Sequence, residues 1–238
     1  MNLNLDKKIM FFHIPKNAGV SIMTAFGLEK NKQINRSPVC ALTTLDYYGE
    51  EYLKSLIKFS IIRNPYDRLV SLYHFRKTKN DLYNLYVGNN VSGGDKTTPE
   101  GTELSFKEWV MDSRTRGAGL CWTTDPYLNS CKETQVHLFL NYPNGYNSTL
   151  EWVNQIHYIT DENGILVTDE ILRFENINEE LENFCNKYNI NNPILPKLNS
   201  SPGSTKRNYV DFYDDELIEF VNKLFKDDID YLDYKFGD

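Results

Sequence analysis

The chain has 238 residues, 40% of them hydrophobic, 25% charged and 13% aromatic, which excludes a disordered or fibrous polymer and leaves room for one α/β domain with insertions. Its net charge of −7 argues against a general nucleic-acid binder, because a phosphate backbone demands an extended basic surface. Cys40, Cys121, Cys131 and Cys185 form no C-x-x-C pair and no Cys/His grouping at zinc-ligand spacing, so they read as reduced thiols, and no metal is expected.

The charge is uneven. Between Lys58 and Lys79 there are six Lys/Arg against the single acid Asp67, whereas residues 211–238 carry ten acids against three lysines. An acidic chain with one basic segment points to a local site for a small anion. The first apolar run, residues 9–12, is too short for a signal h-region or a membrane span, so a cytoplasmic protein without a membrane span is expected. No internal repeat and no long Gly/Ser/Pro linker divides the chain, and residues 1–238 are expected to form a single domain.

In chain order, residues 8–13 read as a buried strand closed by Pro15, followed by a helix from Gly19 with Ile22, Ala25 and Phe26 on its inner face. Residues 59–62 read as a second buried strand. Asn64-Pro65-Tyr66-Asp67 then starts a helix, with Asn64 as N-cap, Pro65 where no N–H is needed and Asp67 in the first turn; it should run to about Phe75. Residues 80–102 are polar and Gly-rich, a long loop at the start of a loop-rich insertion at about 80–150. Ser105 to Glu108 has the pattern of a capping box. Residues 155–160 and 170–174 read as strands, and two amphipathic helices end the chain, lined by Leu181, Phe184, Cys185 and Tyr188 and by Leu217, Phe220, Val221 and Leu224. Alternating strands and helices make an α/β sheet with helices on its faces.

Two segments carry chemistry. FFHIPKNAGVSI (residues 11–22) is a strand, a tight turn of small residues with one lysine, and a helix start. Such a turn aims successive N–H groups and a helix N-terminus at one point, which suits phosphate or sulfate, and Lys16 adds a full charge. It is not a Walker A loop, because lysine precedes the glycine. FSIIRNPYDRLVSLY (residues 59–73) places Arg63 at a strand end and Ser71 on the following helix, where a guanidinium fork and a hydroxyl could hold a second phosphate. A plain βα turn and a capped helix with a surface arginine are the alternative readings of these segments.

Together the two segments resemble the sulfotransferases that use 3′-phosphoadenosine-5′-phosphosulfate (PAPS), especially the carbohydrate branch. The first looks like that family's 5′-phosphosulfate loop and the second like its 3′-phosphate motif; ILRFENI (171–177), LPKLNSS (195–201) and the terminal helix are similar to family members too. The resemblance implies a P-loop-like three-layer sandwich with a central parallel sheet. It implies that Lys16, Asn17, Ala18, Gly19, Val20 and Ser21 cradle the 5′-phosphosulfate, that Arg63 and Ser71 hold the 3′-phosphate, and that Arg207 in a late basic segment closes over the donor. Lys16 is then the catalytic cation, and the partner is a hydroxylated acceptor, expected to be a glycan.

The base is unassigned. Relatives carry a histidine before the helix that leads to the second strand, and the matching position here is Pro38. His13, Glu29, Asp46, His74 and His137 are the other candidates, each with a structural or surface role as its alternative. Trp109, Trp122, Tyr127 and Trp152 lie in or near the unmatched centre, where they fill a core or stack on sugar rings. Two rival functions stand beside the enzyme: a P-loop nucleotide kinase, which lacks its GK[ST] loop here, and a non-catalytic nucleotide- or glycan-binding protein on the same scaffold.

Overall fold

The computed structural model describes residues 2–4, 6–30, 50–78, 104–111, 154–161, 163–196 and 208–238. In chain order the elements are β1 (Asn2–Asn4), β2 (Ile9–Phe12), α1 (Gly19–Phe26), β3 (Glu29–Lys30), α2 (Glu50–Lys54), β4 (Ile57–Ile62), α3 (Pro65–Thr78), α4 (Phe106–Met111), α5 (Ile156–Ile159), β5 (Glu170–Arg173), α6 (Ile177–Lys187), α7 (Asp215–Leu224) and α8 (Lys226–Leu232). Short 3₁₀ turns at Phe174–Asn176 and Tyr209–Phe212 complete the set. The chain divides into two compact units, one of residues 1–63 and 155–200, the other of residues 64–154 and 201–238.

The first unit is built on a five-stranded sheet of order β3-β1-β2-β4-β5. β2, β4 and β5 are parallel, with Phe12 opposite Ser60 and Ile62 opposite Arg173, while β1 runs antiparallel to both β2 and β3. The expected parallel sheet is therefore corrected to a mixed one. The antiparallel edge went unread because Asn2–Asn4 and Glu29–Lys30 are too short and polar to show a strand period.

All four residues of β2 are buried, as a strand covered on both faces requires. Ile9, Phe11, Phe59, Ile61 and Leu172 form one core with Ile22 and Phe26 of α1 and Leu181, Phe184 and Cys185 of α6. Aromatic rings bind this layer, Phe59 lying 4.7 Å from Phe184 and 5.0 Å from Phe11 between centroids. Cys185 is a free thiol, and burial pushes its pKa up.

Residues 155–160 are not a strand. Ile156–Ile159 forms one helical turn, and the buried run Ile156, Tyr158 and Ile159 fits a short helix as well as a strand, since periodicity cannot separate them at this length. Residues 170–174 are a strand only to Arg173, after which Phe174 turns into 3₁₀.

The second unit is helical where it is described. Asn64 caps α3 as its sequence predicts, its Oδ1 accepting the Tyr66 N–H at 3.0 Å and its carbonyl the Arg68 N–H at 2.8 Å. The capping box of α4 also forms: Glu108 Oε2 accepts the Ser105 N–H at 2.8 Å and Ser105 Oγ accepts the Glu108 N–H at 3.3 Å. Trp109, 1% exposed, packs with Tyr73 and Phe106 in a core closed by Leu217, Val221 and Leu224, so it belongs to the fold and not to an acceptor surface. Tyr66 donates to Asn222 Oδ1, and burial pushes its hydroxyl up to about 12. A third terminal helix, α8, follows the two that the periodicity showed.

Candidate anion-binding site

The first unit brings three strand ends together: the loop after β2, Arg63 directly after β4, and Phe174 directly after β5. The carboxyl ends of parallel strands are where open α/β sheets bind ligands.

The loop has an unusual backbone. Lys16 (φ 72°) and Ala18 (φ 57°, ψ 15°) are both left-handed although neither is glycine, and Asn17 between them is not. Alternating hand along successive residues turns their N–H groups to one side as an anion-binding concavity. Left-handed conformations of ordinary residues persist only where the surroundings impose them, and they cluster at ligand sites.

Ala18 is also the N-cap of α1, and it has no side-chain oxygen for the first-turn N–H groups. Ser, Thr, Asp or Asn ordinarily fills that position. An alanine there supplies no side-chain acceptor, and helix N-termini in general suit anions. Gly19 is required for a different reason: a Cβ at this position would lie 2.0 Å from Cδ2 and Nε2 of His13. His13 in turn stacks on Phe11, at 5.9 Å between centroids and 22° between planes.

Asn17 is completely buried, so its side chain serves the loop. Its Nδ2 donates to the Ile61 carbonyl at 2.8 Å and to Gln155 Oε1 at 2.6 Å, while its Oδ1 is buried without a hydrogen-bond partner. Arg63 is half-buried, its Nη1 donating to the Lys16 carbonyl at 3.0 Å and its guanidinium lying 4.2 Å from the centroid of the Phe174 ring. The guanidinium is therefore ordered by a carbonyl and an aromatic face.

Of the residues expected at the site, Lys16, Asn17, Ala18, Gly19, Val20, Ser21 and Arg63 thus lie in the first unit, Val20 being exposed and Ser21 buried. Ser71 is half-buried on α3 in the second unit. Arg207, Pro38, Asp46 and His137 lie outside the described residues. Glu29 is in β3, and His74 on α3 meets the rings of Tyr73 and Phe212 edge-on. Gln155 and Phe174 carry no motif of their own in the sequence, and Gln155 opens a run whose apolar pattern resembles a strand.

Among the described residues no three of His, Cys, Asp and Glu group as a metal site, and no helix is long and apolar enough to cross a membrane. The sulfotransferase family model matches residues 1–235. No curated protein and no solved structure matches the chain.

Proposed function

The chain belongs to the sulfotransferase family, and we propose that within it this protein takes its sulfuryl group from PAPS and passes it to a hydroxyl of a carbohydrate acceptor. The observation that carries the donor reading is the start of α1: an alanine N-cap without a side-chain acceptor, in a loop of alternating hand that bears Lys16. These groups fit the 5′-phosphosulfate of the donor, whose charge and oxygens match a row of N–H groups and one ammonium.

On this reading the loop from Lys16 to Ser21 holds the sulfated phosphate, and Arg63 and Ser71 hold the 3′-phosphate. The acceptor oxygen forms a bond to sulfur as the bond from sulfur to the bridging phosphate oxygen breaks, and the acceptor proton passes to a base. Lys16 faces the negative charge that grows on the leaving oxygen, so its contribution rises in the transition state. Lysine and backbone dipoles supply that neutralisation in place of a metal.

His13, one of the base candidates, has its ring packed against Gly19 and Phe11, which supports a role in shaping the loop. The carbohydrate acceptor rests on the resemblance of residues 11–22 and 59–73 to that branch.

Calorimetry with adenosine 3′,5′-bisphosphate in EDTA tests the donor site, and transfer of labelled sulfate to a panel of hydroxylated acceptors tests the reaction. Absence of binding at millimolar bisphosphate would overturn the PAPS reading. Binding without labelled product on any acceptor would favour a non-catalytic binding protein.

A further inference from the structure

Gln155 is fully buried, and its side-chain amide is used on two separate segments. Its Oε1 accepts from Asn17 Nδ2 at 2.6 Å and from the Arg63 N–H at 2.9 Å, while its Nε2 donates to the Arg63 carbonyl at 2.7 Å. A side-chain amide thus pairs with the main chain of Arg63 as a neighbouring strand would, one residue beyond the end of β4 at Ile62. The second segment is the loop after β2, reached through Asn17, which is also tied to the Ile61 carbonyl. Arg63 is the last residue of the first unit before the chain leaves it, and Gln155 is the residue at which the chain returns.

We infer that Gln155 is a positioning residue that fixes the loop of Lys16–Ser21 and Arg63 in register with one another. A buried amide is a costly way to fill space, since a side chain of similar volume without polar atoms needs no partners. Its hydrogen bonds go to the exit of β4 and to the loop, the two places where the proposed donor is held, and the guanidinium of Arg63 is fixed from the other sides by Lys16 and Phe174. Such a network preorganises the N–H groups of the loop and the arginine fork before ligand arrives. The assignment of what they bind rests on the PAPS reading; the positioning itself does not.

The test compares wild type with Gln155→Met, which keeps the volume and removes the amide. Hydrogen exchange of the ligand-free proteins is read at the amide of Arg63 and at that of Ile22, which reports on the loop because it donates to the Ala18 carbonyl at 3.1 Å, with Leu172 and Leu181 as core references. The expected result is a rise of about tenfold or more at Arg63 and the loop, the size of roughly 1.4 kcal/mol, with the references unchanged. The affinity for adenosine 3′,5′-bisphosphate should fall by a similar factor. Equal acceleration at Leu172 and Leu181, or no change at Arg63 and the loop, overturns the inference. Local acceleration in the variant, with no bisphosphate binding even by wild type, supports the positioning role and overturns the donor reading. If Gln155→Met does not fold, Gln155→Asn, which keeps the amide one methylene shorter, decides by the same comparison.

Discussion

His13 and Gly19 are packed so closely that a methyl group on Gly19 would lie 2.0 Å from the imidazole. The histidine at the end of one strand and the first residue of the next helix therefore form a single steric unit, and this pairing shapes the loop between them. Gly19→Ala must drive the ring off its stack on Phe11. It should lower stability by about 1–3 kcal/mol, the usual range for overpacking a filled site. His13→Ala in the same background should restore part of the loss. Urea midpoints of the two single variants and the double variant measure the coupling, and additive effects would show that the ring moves aside freely.

Much of this architecture is legible in the residues because local chemistry agrees with the final packing. The caps at Asn64 and Ser105 rest on hydrogen bonds within a few residues, and the buried runs of β2 and β4 and the apolar faces of α6 and α7 show in their own residue patterns. The edge strands β1 and β3 were illegible, since their pairing depends on partners distant in sequence and not on a pattern of their own. Gln155 was hidden for the same reason: its partners Asn17 and Arg63 lie 138 and 92 residues away. For the candidate anion site, the sequence carried the lysine, the glycine and the arginine. It did not carry the left-handed turns at Lys16 and Ala18, which no side chain announces.

The helical unit should lose stability in acid in part through Asp214, beside Glu108 and Glu219, whose carboxyls are also held below the usual range by hydrogen bonds from Ser105 and Lys223. Asp214 caps α7, its Oδ1 accepting the Leu217 N–H at 2.9 Å, and its Oδ2 accepts from Lys107 at 2.7 Å. The Lys107 ammonium first, and the Leu217 N–H second, hold its carboxyl below the usual range. A depressed carboxylate contributes stability above its unfolded pKa and loses it as pH falls through the folded value, here below about pH 4. Asp214→Asn keeps a cap oxygen without the charge, so its urea midpoint should change less between neutral pH and about pH 3 than that of wild type. An unchanged acid limb would place the acid sensitivity on other carboxylates.

Lys16 combines a charge with a strained backbone, and substitution can separate them. Lys16→Gly removes the ammonium while relieving the positive φ of 72°. Glycine adopts that conformation without a Cβ penalty, so folding stability should hold or rise. If the ammonium stabilises the leaving group, kcat should fall by about 10²–10³-fold, the scale of losing one preorganised donor. Lys16→Ala should show the same fall in kcat without the gain in stability. A normal kcat with weakened donor binding in both variants would mean that Lys16 only positions the donor.

Arg63 has two tasks on the proposed reading, and ligand pairs can tell them apart. Its guanidinium holds the Lys16 carbonyl at 3.0 Å and lies over Phe174, and it is also the expected partner of a 3′-phosphate. Hydrogen bonds to a charged group contribute about 1.5–3 kcal/mol each, and about 1.4 kcal/mol is tenfold in affinity. Wild type should therefore prefer adenosine 3′,5′-bisphosphate to adenosine 5′-monophosphate by at least about tenfold. Ser71→Ala, which loses only a neutral hydroxyl, should reduce that preference and leave the monophosphate unaffected. Arg63→Ala should abolish most of the preference and also weaken the monophosphate, because the loop loses its anchor at Lys16. Arg63→Lys keeps a charge without the fork or the ring stack, and its preference should fall between the two. Calorimetric titration of both ligands against each variant gives the answer. A preference that survives Arg63→Ala while both affinities drop would show that Arg63 acts on the loop alone, and the 3′-phosphate would then need another partner.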